Sequence, residues 1–328
     1  MKQNGCYETL AEKKDFFTQH PVTSVEQLLD DLQKLGKAYV FRGQSNAYWK
    51  IRSSAQRWWQ DERCEKCFKK QTFVEFVDAA LQFTKNFPLL QPKCGRFNDS
   101  GVQFGDHETL GFLQHYGFPT PLIDFSHDFW VALYMAVRKF PKTGTEMPDH
   151  FSIYAVRKDL ESEHELDSLE SLLRKYFSSD YNTNDVTIRF RATVDSRSIS
   201  FGDFSCILLH KDGTLWCQNL ARERIASQGG LFVYLNDDKE KGRCLEECMV
   251  TYRKWDEAER KGEPVQEECP NLNFEPIICW DVPYSFAPAI QELCTLRGYT
   301  ERSLGLEDKT IESEARRCFE SFVQSIHR

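Results

Sequence analysis

The sequence predicts an α+β fold: a mixed, mainly antiparallel sheet with flanking helices. Three observations predict it. Apolar residues recur at helical spacing in residues 24–36 and again across 56–86. Residues 151–156 alternate as a strand, and Gly230-Leu231-Phe232-Val233-Tyr234-Leu235 is a strongly apolar, β-prone run. An Asp212-Gly213 pair between two further apolar runs suits an antiparallel hairpin.

Taken in order, Ser24 stands as a helix cap with Gln27 three residues on, and Leu28, Leu29, Leu32 and Leu35 follow. Gly36 stops that helix. Residues 38–41 read as a strand that delivers Arg42, Gly43 and Gln44 at its end, and 48–53 read as a second extended piece. Residues 56–86 read as helix, where Phe68, Phe73, Phe76, Val77, Ala80, Leu81 and Phe83 form a core-facing stripe closed by Pro88. Residues 91–106 collect Pro, Gly, Asn, Asp and Ser and read as a loop. A helix is expected from an Asp106 cap to Tyr116, with Gly117 just past its end, and then a turn over 119–126. Asp128 suits the positive end of the next helix, 128–140. A charged helix is expected at 159–177, and strands at 187–190, 205–209, 214–218 and 277–280. Helices are expected at 286–297 and 308–327, with no internal repeat.

At 328 residues, 41% hydrophobic and 28% charged, the chain has the composition of an ordinary globular protein. Its 25 Phe, 7 Trp and 12 Tyr point to a densely aromatic core. A net charge of −8 argues against broad nucleic-acid binding, which needs a basic face. Arg189, Arg191, Arg197, Arg222 and Arg224 could still build a local basic groove. The first twenty residues lack the apolar core of a signal peptide, so the 12 cysteines read as reduced, mostly buried thiols of a cytoplasmic protein. No apolar run is long enough to span a bilayer.

Cys64 with Cys67, and Cys244 with Cys248, have zinc-like spacing but sit in charged, helix-like sequence, so they read as ordinary thiols. Asp106, His107 and Glu108, and likewise Asp124, His127 and Asp128, could ligate a divalent ion; as caps and exposed polar residues they need none. No metal is expected. Glycine-rich phosphate loops, a Gly-x-Ser-x-Gly elbow and a His-Glu-x-x-His helix are absent from the sequence. Arg42, beside a glycine, can present its planar fork to a phosphate or serve a salt bridge. His115 fits a general base or a structural histidine. Gln228, ahead of Gly229-Gly230 and a strand, can reach a ribose diol or amide.

Together, Phe41-Arg42-Gly43-Gln44, Gln114-His115-Tyr116-Gly117-x-Pro119-Thr120, Leu122-x-Asp124-Phe125-Ser126, Val131-Ala132-Leu133-Tyr134-x-Ala136 and Arg224-Ile225-x-x-Gln228-x-Gly230-x-Phe232 resemble the FRG domain family. The resemblance spans 38–235, leaving 1–37 as a helical lead-in and 236–328 as an extension packed on the same domain. Pro121 stands where the family often has a basic residue. More distantly the chain is similar to ADP-ribosyltransferases of the arginine–serine–glutamate type. That likeness implies NAD as cofactor, with Arg42, Gly43, Gln44, Thr120 and Ser126 around it, and Gln228, His115 and Asp124 as catalytic residues. Glutamine in place of glutamate weakens stabilisation of developing positive charge. The resemblance implies an enzyme, a toxin or defence effector modifying a protein or nucleic acid. The alternatives are a non-catalytic nucleotide- or RNA-binding module and a metal-dependent hydrolase or nuclease built on His115, Asp124 and His127.

Overall fold

The computed structural model describes residues 5–36, 39–59, 73–90, 113–140, 148–157, 186–195, 198–209, 227–234, 244–246, 277–307 and 309–326. They fall into two compact units, each assembled from three stretches of chain.

The first unit comprises Met1–Ile51, Phe125–Glu161 and Cys244–Leu304. It is built on strands β1 (Thr18–His20), β2 (Tyr39–Gln44), β3 (Leu122–Ser126, at its boundary), β4 (His150–Arg157) and β8 (Ile278–Pro283), in the order β1-β8-β4-β2-β3. β1 runs parallel to β8 and the other pairs are antiparallel, so the expected mixed α+β sheet is present. Helix α1 (Val25–Leu35) begins where Ser24 Oγ accepts from the Gln27 amide and ends at Gly36, whose φ of 58° suits glycine. Helix α4 (Phe129–Val137) is capped by Asp128, whose Oδ1 accepts from the Trp130 amide at 2.8 Å. Helix α5 (Ala287–Leu296) closes on Gly298 with amide bonds from Gly298 to Thr295 O and Tyr299 to Cys294 O, both 2.9 Å.

The second unit comprises Arg52–Asp124, Ser162–Arg243 and Gly305–Arg328. Helices α2 (Ser54–Trp59), α3 (Phe73–Thr84) and α6 (Thr310–Ile326) surround a core of Phe76, Leu90, Leu113, Phe118, Phe319 and Phe322. Phe118 meets Phe319 edge-on at 5.7 Å, and Trp58 lies 4.8 Å from Phe319, so much of the aromatic content is core here. Strands β5 (Val186–Asp195), β6 (Ser198–Leu209) and β7 (Gly230–Tyr234) pair antiparallel, β6 between the other two.

Several elements differ from expectation. The expected strand 38–41 continues through Arg42, Gly43 and Gln44, each with a ladder partner in β4, so the motif lies inside a strand. Residues 122–126, expected as part of a turn, are strand β3. Proline and threonine at 119–121 supplied the turn signal, and backbone pairing starts just after it. The extended piece at 48–53 reduces to a single bridge between Cys6 and Trp49. β5 and β6 pair antiparallel with Asp195 opposite Ser198, whereas the hairpin expected at 210–213 and the strand at 214–218 lie outside the described residues, as do 91–112 and 159–177. β1 was not expected; Thr-Gln-His carries no strand pattern and owes its conformation to pairing with β8.

Candidate functional site

Side chains alternate across a strand, and residues directly opposite each other in an antiparallel ladder share a face. In β2, Phe41 and Gly43 point one way, and Arg42 and Gln44 the other. The register opposes Phe41 to Ala155, Gly43 to Ile153, Arg42 to Tyr154 and Gln44 to Ser152. Tyr154 in turn opposes Cys279, and Ser152 opposes Asp281. Arg42, Gln44, Ser152, Tyr154, Cys279 and Asp281 therefore share one face of the sheet.

The opposite face is closed against α4. Phe41 meets Phe129 edge-on at 5.9 Å. A Cβ on Gly43 would lie 1.8 Å from Ala132 O, so the close approach this glycine permits is to the helix backbone. Ser126 opposes Phe41 on that face, and its Oγ accepts from the Asp128 amide at 2.9 Å, leading the chain into α4. Of the residues expected around a cofactor, Arg42 and Gln44 share one face while Gly43 and Ser126 face the helix.

The Arg42 face is polar and largely buried. Lys13, delivered by a 3-10 helix (Leu10–Asp15), is 0% exposed. Its ammonium reaches Asp281 Oδ1 at 2.5 Å and Ser152 Oγ at 2.9 Å. Ser152 Oγ donates to Asp281 Oδ1 at 2.6 Å, and Gln19 Nε2 to Asp281 Oδ2 at 3.1 Å. The same ammonium lies 4.9 Å from the centre of the Tyr154 ring, 5.7 Å from Phe17 and 5.9 Å from Tyr7. Burial by itself disfavours the charged Lys13, but Tyr154, Cys279 and Asp281 outweigh it and hold the ammonium above its ordinary value. Burial pushes Tyr154 and Cys279 up as well, so both stay neutral near pH 7 and the Asp281 carboxylate is the effective counter-charge.

Beyond Lys13 the buried chain continues. The Tyr7 hydroxyl donates to Glu246 Oε1 at 2.5 Å, and the Ile51 amide donates to both Glu246 oxygens at 3.0 and 3.2 Å. Glu246 is fully buried, and desolvation raises its pKa against those hydrogen bonds. Gln44 donates to the Trp49 carbonyl at 2.5 Å and the Asn46 carbonyl at 3.3 Å, holding the loop after β2.

The other expected site residues belong to the second unit. Gly117, with φ of 77°, ends the helix carrying His115; its amide donates to Gln114 O at 3.1 Å and that of Phe118 to Leu113 O at 3.0 Å. This places Gln114 beside the following segment, where the Thr120 hydroxyl donates to Gln114 Oε1 and Gln114 Nε2 donates to Asp124 Oδ2 at 2.7 Å. Thr120 is fully buried: its hydroxyl also accepts from the Leu122 amide, and its carbonyl accepts from the Ala55 amide. The threonine orders its own turn. Asp124 is exposed, whereas His115 and Gln228 are buried.

Among the described residues no group of three or more His, Cys, Asp or Glu side chains is placed to hold a metal ion. Cys6, Cys244, Cys279, Cys294 and Cys318 form no disulfide, and all but Cys6 are buried. The basic side chains of Arg189, Arg191, Arg197, Arg222 and Arg224 lie outside the described residues. No described helix is long and apolar enough to cross a membrane.

Sequence reasoning missed Lys13, Ser152, Tyr154, Asp281 and Glu246. Two of them left a signal: Ser152 and Tyr154 alternate with Phe151, Ile153 and Ala155, the pattern of a strand with one polar face.

An α+β protein with a strand-borne arginine on a buried polar sheet face is the class these observations define. A family model for the FRG domain matches residues 37–144, and the chain carries an FRG domain over that span. The match contains β2 with Arg42, the Gln114–Thr120–Asp124 segment and α4. Neither a curated protein nor a solved structure gives a significant match.

Proposed function

We propose that the FRG domain binds a pyrophosphate-bearing nucleotide, with NAD the first candidate, through Arg42, and acts on it as an ADP-ribosyltransferase-like enzyme. One observation carries the binding part. Arg42 lies half-buried inside a strand, on a face whose polar neighbours are fixed by ladder register and hydrogen bonds. An arginine in such a setting loses little further freedom on gripping a phosphate, and the low dielectric strengthens the contact. Gln44 belongs to the same reading through its place beside Arg42. Gln228, His115 and Asp124 are the residues that the likeness to ADP-ribosyltransferases nominates for catalysis.

The test is calorimetric titration with NAD and ADP-ribose, alongside an assay for nicotinamide release. Binding is expected to fall at least tenfold in Arg42→Ala, a loss of about 1.4 kcal/mol or more. Gln228→Ala should slow nicotinamide release, and Gln228→Glu should raise it by strengthening stabilisation of the ribosyl cation. Binding without nicotinamide release, in the wild type and in Gln228→Glu, leaves a nucleotide-binding module and removes the enzyme. Absence of binding to NAD, ADP-ribose and a short RNA defeats the proposal.

A further inference from the structure

We infer that Tyr154 is the positioning residue for Arg42, and that Lys13 holds it in place from outside the FRG match. The inference rests on Arg42 being the ligand-gripping group.

Three constraints meet at this pair. β2 cannot withdraw from the sheet on the helix side, because Gly43 already touches the backbone of Ala132. Along the strand, Gln44 is tied to the carbonyls of Asn46 and Trp49. Across the ladder, Tyr154 stands directly opposite Arg42 and is fully buried. Directly opposed residues have Cβ atoms roughly 5 Å apart. The tyrosine ring therefore forms the wall beside the first carbons of the arginine side chain.

That wall is fixed from its far side. The Lys13 ammonium sits 4.9 Å from the ring centre, pinned by Asp281 and Ser152. Lys13 precedes the matched span of 37–144, and Ser152 and Asp281 follow it. The arrangement predicts that the matched span does not place its own arginine without these flanking pieces.

The experiment reads Arg42 directly, by the Nε–H resonance of ¹⁵N-arginine-labelled full-length protein, assigned through Arg42→Lys. Tyr154→Leu removes the wall and should shift that resonance and weaken ADP-ribose binding roughly tenfold, about 1.4 kcal/mol. Tyr154→Phe keeps the ring and should restore both, which a role through the hydroxyl would not allow. Ser152→Ala tests the same link more gently should Tyr154→Leu not fold, with a smaller shift in the same direction. An Arg42 resonance unmoved in folded Tyr154→Leu, or unmoved in Ser152→Ala where the leucine variant does not fold, overturns the inference. If the wild type binds neither NAD nor ADP-ribose, the functional proposal falls, while the resonance still decides whether Tyr154 positions Arg42.

Discussion

The two faces of the sheet in the first unit are held by opposite physics. Toward α4, Phe41, Gly43 and Ile153 present an apolar surface whose fit is set by shape, down to a glycine that leaves no room for a methyl group. Toward Lys13, Ser152, Tyr154 and Asp281 present a polar surface, set by hydrogen bonds and one buried charge pair. A strand with a shape-locked side and a charge-locked side has little freedom in between. That is where Arg42 sits. The helix face tolerates a change of chemistry at constant volume; the Lys13 face tolerates a change of volume sooner than the loss of one charge.

Lys13→Met should produce the largest loss of stability. It strands Asp281 without its counter-charge, and breaking one side of a buried pair costs about 3–5 kcal/mol. Urea unfolding checks it, and Lys13→Met combined with Asp281→Leu should recover part of the loss. A single variant within about 1 kcal/mol of wild type would place the pair among weakly coupled surface-type bridges.

Gly43→Ala probes the other face and should cost roughly 3 kcal/mol, since overpacking against a backbone carbonyl forces β2 and α4 apart. Thermal unfolding reads it. A neutral outcome would mean that the helix face is compliant.

Asp128→Ala should cost about 1–2 kcal/mol. It removes the cap of α4 and the acceptor of the Tyr299 hydroxyl, bonded at 2.5 Å. Asp128→Asn should retain most of the cap.

The smallest effect is a slope. Burial raises the Glu246 pKa in the folded chain above its unfolded value. The folded state thus holds its proton more tightly, and the stability from this group is complete below the unfolded value of about 4.3. It is lost as pH rises through the folded value. Burial pushes Tyr7, its partner, up out of this range. Urea midpoints measured from about pH 4 to pH 8 should fall for the wild type and flatten in Glu246→Gln. Parallel slopes would show that Glu246 is not the titrating group.

Where a structural signal is local, the sequence carried it. Ser24, Asp128, Gly36 and Gly117 cap or end helices as their residue types require, because a cap is decided by its own few neighbouring residues. The aromatic richness declared a core, and Arg42 was marked by its place beside glycine at an apolar strand. The pairing partner of Arg42 was not legible, since a ladder register joins residues more than a hundred positions apart.

By itself, then, the sequence determined the FRG motifs, the class of fold and the ends of several helices. Tertiary structure alone decided that Gly43 faces a helix and Arg42 a buried polar surface, and that Lys13 meets Asp281 across 268 positions. The reason is that a buried charge needs a partner but does not encode which one. That choice is made where the folded chain brings distant strands together.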